Sequence, residues 1–319
     1  MPPVLTIKNI GLSQVDFNDL SYAIAPIPES EIDSTLKASI ARHGILHPPI
    51  VREITPVSYT IIAGRKRLLA WRSLAKEQTC HCLVISRQIP EFEIFHILLA
   101  EIQLVRQLTM VEKALFLQKI AAVAEEKQIV KEFLPRLNLA PDPSVMKQTL
   151  RLLELEAPIL KDIHQGYINE TVARDFVTLP LQDRSILFEI VASLRLSLSN
   201  QKKLLQICRE LASRENKSIT ALLATPEVQA ILHHPDANPP QKTKNLMTWL
   251  ARRHKSRSIH AEEEFNRFVN EIRLPRNVSV AHTPFFEDDA VTLSITFRNR
   301  SFLLQAWEKI KHVTRDNEN

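Results

Sequence analysis

The stretch Ile61-Ile62-Ala63-Gly64-Arg65-Lys66-Arg67-Leu68-Leu69-Ala70-Trp71 decides the reading of the fold. Together with Tyr59 and Thr60, its apolar opening makes a buried strand, Gly64 turns the chain, and a helix follows from about Arg65 to Ala75. Only four glycines (Gly11, Gly44, Gly64 and Gly166) occur in 319 residues, against 19 prolines. So few cannot build a G-x-G-x-x-G turn or a P-loop, which excludes Rossmann dehydrogenases and P-loop NTPases. The helix after Gly64 opens with three cations. Backbone N–H groups at a helix start attract anions, and Arg and Lys strengthen that attraction. Cations at a helix N-terminus oppose the macrodipole, so an anionic group is expected beside them. The plainer alternative is a helix whose first turn happens to be basic.

Working outward, the first hundred residues read as mixed α/β. Ile32, Leu36 and Ile40 mark a helix from Ser30 to His43, stopped by Gly44. Ile50 to about Arg52 is a short strand, and Cys82 to Ser86 is another. From about Glu91 to Val228 the pattern is almost wholly helical, without a fixed repeat. Within it, a helix from about Gln128 to Leu137 is followed by a turn with Pro141 and Pro143, then a helix from Ser144. On that helix Ser144, Lys147, Gln148 and Arg151 share a polar face opposite Met146, Leu150 and Leu153. Such side chains suit phosphates and base edges in a major groove, as in a helix-turn-helix. Two packed helices with an ordinary wet face would give the same pattern.

Pro235, Pro239 and Pro240 suggest a linker over 235–258. Gln241 to His260 carries Lys242, Lys244, Arg252, Arg253, Lys255 and Arg257 and no acid. The run reads equally as a solvated tether or as a contact to DNA phosphates. The last sixty residues read as a small α-β-β-α unit. It has a helix from Ala261 to Ile272, strands at Val278–Val280 and Val291–Phe297, and a helix capped by Ser301 that carries Leu303, Trp307 and Ile310. So small a unit is marginal alone and favours pairing with a second copy.

The formal net charge is +5 and the pI about 9.1, which suits a polyanionic partner. Cys80, Cys82 and Cys208 form no framework and no zinc spacing, so reduced thiols and no metal site are expected. No signal peptide and no apolar run of 18 residues is present, which predicts a soluble, cytoplasmic protein without a membrane partner.

These segments, in this order, resemble the ParB family of chromosome and plasmid partition proteins. Leu36 to Val51 looks like the family's first box, "SI…G…QP…V", and Gly64-Arg65-Lys66-Arg67 looks like its G-E-R-R box. Glu101 to Leu108, with Thr109 and Glu112, resembles its E-N-x-x-R segment and the following "L-(S/T)-P-x-E". Ser144 to Leu155 resembles its recognition helix, with "LRLLxL" as Leu150 to Leu155. Gly166-Tyr167-Ile168 followed by Ala173-Arg174 resembles its "G-x-I…A-R".

The resemblance implies an α+β multidomain chain. Residues 1–100 would be a small α/β ParB/sulfiredoxin-like nucleotide or partner domain. Residues 101–234 would be an all-α helix-turn-helix domain, 235–258 a basic linker, and 259–319 an α-β-β-α dimerisation domain. It implies CTP and Mg²⁺ as cofactors, with Gly64, Arg65, Lys66, Arg67 and Arg106 at the nucleotide and Glu101 as the hydrolytic carboxylate. It implies DNA contacts from Ser144, Lys147, Gln148, Arg151 and Arg174. The partners would be double-stranded DNA at a palindromic centromere-like site, a second copy of the chain, and a ParA-type ATPase, with the protein associated with the nucleoid. A transcriptional repressor on the same scaffold and a ParB-like nuclease are the alternatives.

The chain departs from the pattern. Arg65 replaces the box glutamate, Lys66 its first arginine, Ile102 the asparagine and His47 the usual glutamine, and the Glu101–Arg106 spacing is one residue longer. Weak or altered CTP binding and slow or absent hydrolysis are the expectation. Arg67 is the firmest correspondence.

Overall fold

Adjacent isoleucines on one strand, Ile61 and Ile62, pack into different cores and so set the layering of the first half of the chain. The computed structural model describes residues 5–25, 33–74, 78–275, 277–282 and 291–315. The chain divides into two compact units, one built of residues up to Ala192 with Leu196–Lys202, the other of Ser193–Arg195 and residues from Lys203 onward.

In the first unit, β1 (Thr6–Gly11), β2 (Val15–Asp16), β3 (Ile50–Thr55), β4 (Ser58–Ala63) and β5 (Thr79–Ile85) form one sheet in the order β1-β5-β3-β4-β2. The β3–β5 and β2–β4 pairs are parallel, while β1–β5 and β3–β4 are antiparallel. One face carries Val51, Ile61, Cys82 and Val84 against Leu68 and Trp71 of α2 (Arg65–Leu74), with α1 (Ser34–His43) packed beside α2. The other face carries Ile50, Ile62 and Ile85 against α3 (Glu91–Gln103) and α4 (Met110–Ile120). Burial on both faces explains why β4 reads as an unbroken apolar run rather than an alternation. β1 escaped the sequence reading because it is an edge strand with only Ile10 buried.

The expected boundary after residue 100 falls inside α3. The core under that helix runs on without a break through α4 and α5 (Glu126–Glu132) to Met146 of α6 (Pro143–Arg151). The helix expected over Gln128–Leu137 stops at Glu132, just before Pro135, which lacks the N–H a continuing helix needs. α7 (Ala157–His164), α8 (Glu170–Thr178) and α9 (Leu181–Ser193) complete the helices of this unit, and α10 (Leu198–Glu215) begins in it.

The second unit contains α11 (Ile219–Leu223), α12 (Pro226–Leu232), α13 (Pro239–Glu271), the antiparallel hairpin β6 (Val278–His282) and β7 (Val291–Ile295), and α14 (Arg300–Arg315). The linker expected over 235–258 is corrected here, since the chain is helical from Pro239. Pro239 and Pro240 occupy the first helical positions, where proline is tolerated because those N–H groups have no acceptor. Asn238 and Gln241 close a reciprocal capping box around them, at 3.0 Å each way. The final helix is capped by Asn299, which accepts from the Phe302 N–H at 3.2 Å, and not by Ser301. The strand expected to reach Phe297 ends at Ile295. Among the described residues no helix is long and apolar enough to cross a membrane.

Candidate nucleotide and DNA sites

Gly64 adopts φ +86°, a left-handed conformation that residues with a Cβ rarely tolerate. A Cβ there would stand 2.9 Å from Arg67 Nη2 and 3.0 Å from Pro49 Cβ. The glycine therefore does two things. It makes the strand-to-helix turn, and it lets the Arg67 guanidinium fold back over the turn.

The cations of this turn have different fates. The Arg65 guanidinium donates to the main-chain oxygens of Asp19, at 3.0 Å, and Phe17, which ties α2 to the segment after β2. Arg67 donates to His47 O at 2.5 Å and pairs with Glu101 Oε1 at 3.3 Å. Lys66 is exposed. The anionic group expected beside this helix start is thus supplied in part by the protein. Glu101 and three carbonyls answer two of the three cations.

These side chains line one cavity of about 420 Å³. It gathers Gly64, Arg65, Lys66, Arg67, Glu101 and Arg106, so the six residues expected to handle a nucleotide do meet. Tyr22 to Ala25, Ile102, Glu112 and His164 also line it. The expected asparagine position is filled by apolar Ile102, which adds no donor or acceptor.

Arg106 is held by Glu112. Its two terminal nitrogens meet the two carboxylate oxygens at 2.5 and 2.6 Å, and the Thr109 N–H donates to the same carboxylate at 2.8 Å. Burial alone would raise the Glu112 carboxyl, but the Arg106 fork and the Thr109 N–H outweigh it and leave it below the ordinary range. His164, at the end of α7, reaches Thr109 Oγ1 with Nδ1 at 3.0 Å. Its role was not legible in the sequence, where it is a lone histidine on an amphipathic helix. Cys80 and Cys82 are buried strand residues, as expected, and burial holds Cys208 up at about 12.

The DNA-facing expectation rests on α6. Asp142 caps it by accepting from the Ser144 N–H at 2.6 Å, and Pro143 takes its first position. Ser144, Lys147, Gln148 and Arg151 are all exposed on one side. Lys147 is 3.8 Å from Glu126, and Arg151 is 3.6 Å from Glu154. Pairs this open hold their cations only loosely. The buried side differs from expectation. Met146, Thr149 and Leu152 are buried, while Leu150 and Leu153 are only half-buried. The helix tightens to a 3₁₀ turn at Leu152–Glu154, and that change of pitch shifts which leucine faces inward. Arg174 is exposed on α8, a different helix from the other four.

The acid-free run falls on α13, where Leu246 and Leu250 are buried and Lys244, Asn245, Thr248 and Arg252 are exposed. Arg253 is committed elsewhere, donating to Glu215 at 2.7 and 2.8 Å.

Residues 4–101 match the sequence profile of the ParB N-terminal domain. A nucleoid occlusion protein of Lysinibacillus sphaericus (strain C3-41) is 31% identical over 150 residues, covering 46% of this chain and 48% of that protein. The chain thus spans about half the length of the curated relatives it matches. Among solved structures, C-terminally truncated ParB from Caulobacter crescentus complexed to the centromeric parS site is 18% identical. It covers 62% of this chain and 98% of that one, with a TM-score of 0.35. The same protein complexed with CTP-gamma-S is 20% identical, covers 55% and 93%, and has a TM-score of 0.25.

Proposed function

We propose that this chain, whose residues 4–101 match the ParB N-terminal domain, is a site-specific DNA-binding protein of the partition and nucleoid-occlusion type, with a nucleotide pocket at Gly64. The observation that carries the reading is the convergence of Gly64, Lys66, Arg67, Glu101 and Arg106 on one cavity, although Gly64 and Arg106 are 42 positions apart in the sequence. A cavity of about 420 Å³ lies in the range that holds a nucleotide-sized ligand.

The residues fit CTP. The helix start after Gly64 offers backbone N–H groups without intrahelical acceptors, and Lys66 is placed to meet a phosphate. Arg67 would exchange Glu101 for a phosphate oxygen, which frees the Glu101 carboxylate. Among the described residues no group of three or more His, Cys, Asp or Glu stands close enough to hold a metal unaided. Mg²⁺ would therefore arrive on the triphosphate, with Glu101 as the nearby carboxylate. Bound there, the metal would neutralise phosphate charge. With Arg65 in place of the box glutamate and Ile102 in place of the asparagine, groups that would help hold a metal-bound nucleotide are missing, and hydrolysis is slow or absent.

DNA binding runs through α6. Lys147, Gln148 and Arg151 face the groove, Ser144 meets the backbone beside the helix start, and Arg174 reaches a flanking phosphate. The α13 face adds a non-specific phosphate contact. A second copy of the chain covers the apolar C-terminal faces, giving two half-site readers for a palindrome. A ParA-type ATPase is the proposed partner, and the nucleoid the proposed location.

Binding to closed circular DNA carrying candidate palindromes, with and without CTP and Mg²⁺, tests the reading. Site-dependent retention that changes with CTP is expected. Equal binding to every sequence, unaffected by nucleotide, would overturn it.

A further inference from the structure

We infer that a second, smaller cavity in the first unit holds a backbone phosphate of duplex DNA and so sets the register of α6. The inference rests on the DNA-binding reading above. The cavity measures about 200 Å³ and lies among the end of α3, the start of α4 and the turn after α5. Its polar lining is Gln103, Arg106, Gln107, Lys113, Arg136 and Asn138. Three cations and three amides surround it, and no carboxylate is among the described residues that line it. It is smaller than the usual nucleotide-sized pocket but roomy enough for one oxyanion with water.

Arg106 is already paired with Glu112, so the cations held ready rather than neutralised are Arg136 and Lys113. Arg136 Nη1 stands 2.7 Å from His96 Nδ1. A guanidinium can only donate, so Nδ1 accepts, and the other ring nitrogen is left to carry the proton. That nitrogen, Nε2, lies 3.2 Å from Glu132. The ring stacks on Phe133 with centroids 4.3 Å apart, so a wedged histidine fixes Arg136 without placing a carboxylate on it. Gln103 Nε2 donates to the Arg136 carbonyl at 2.5 Å, which anchors the turn itself. Lys113 is half-buried and forms no ion pair among the described residues. Asn138, at φ +55°, bends the chain over the cavity.

Four residues after Asn138 comes Asp142, the cap of α6. A phosphate seated here would belong to the strand flanking the groove that α6 enters. Such a contact positions the protein without reading sequence. Arg106 lines this cavity and the nucleotide cavity alike, so a nucleotide phosphate is the competing source of the same chemistry.

The test uses the full chain and a labelled mixed-sequence duplex, titrated by fluorescence anisotropy over a series of salt concentrations. Lys113→Gln and Arg136→Gln should each weaken binding several-fold and lower the slope of log affinity against log salt by about 1. Gln148→Ala should leave that slope unchanged. Lys113→Gln is the decisive variant, since Arg136 also braces the turn, and circular dichroism checks the fold of both. An unchanged slope in Lys113→Gln, with wild-type binding normal, overturns this inference and leaves the DNA reading standing. Weaker CTP binding in calorimetry with an unchanged slope assigns the cavity to the nucleotide and overturns it too. A wild-type chain that binds no duplex removes the DNA reading itself.

Discussion

At Gly64 one missing methyl group connects backbone, cation and cavity. The residue sits in the left-handed region, and the space its Cβ would fill is taken by Arg67 and Pro49. Gly64→Ala should therefore act twice. Left-handed strain costs about 1–2 kcal/mol of stability, read by denaturant unfolding. Displacement of the Arg67 guanidinium should weaken CTP binding, read by calorimetry. Arg67→Ala separates the two effects. It should abolish nucleotide binding while leaving the circular dichroism spectrum intact, because the turn is unchanged. Tight binding indifferent to Arg67→Ala would remove the site from this turn.

In the proposed DNA reading the deciding element is α6, a short helix with a cap, a proline start and one exposed polar face. Lys147→Ala or Gln148→Ala should weaken specific binding by about 1–3 kcal/mol if the residue meets a base edge. Binding of both variants to the best site at wild-type strength would show that α6 is not the reading helix. On α13 the relevant device is acid-sensitive. The fork from Arg253 holds Glu215 down at about 2, against an ordinary value of 4.5. A depressed carboxylate stabilises the fold fully above its unfolded value and loses that contribution as pH falls through its folded one. The second unit should thus lose stability between about pH 4.5 and 2. Arg253→Gln should flatten that limb in urea titrations, and a limb of unchanged steepness would assign the acid loss to other groups.

For the whole molecule, the apolar surface of the C-terminal hairpin and helix is the conspicuous fact. Val291 is 56% exposed, Leu293 59%, Leu304 63% and Trp307 49%. A two-stranded sheet is marginal in water on its own, and these faces need a cover. Ending the chain after Ser258 should yield a monomer at micromolar concentration. The cut is tolerable because Leu246, Leu250 and the Arg253–Glu215 pair, which dock α13, all lie before it. Sedimentation of the shortened chain as a dimer without DNA would place the interface elsewhere.

Local signals carried the reading where one residue type fixes one backbone outcome. Gly44 and Gly64 marked real turns, the apolar run before Gly64 was a strand buried on both faces, and the polar stripe of α6 faces solvent. Local signals misled where a residue has two meanings. Pro239 and Pro240 were read as breakers but open a helix, because proline at the first position loses no hydrogen bond. Leu153 was read as the inner leucine, but a 3₁₀ turn moved that place to Leu152. Tertiary structure alone decided what the cations do. The sequence determined three positive charges beside one glycine, and a partner for them. Folding sent Arg65 to two carbonyls and Arg67 to Glu101, and it brought Arg106 and His164 to the same cavity. Pairings between residues tens of positions apart depend on how sheet and helices stack, and no local pattern encodes that distance.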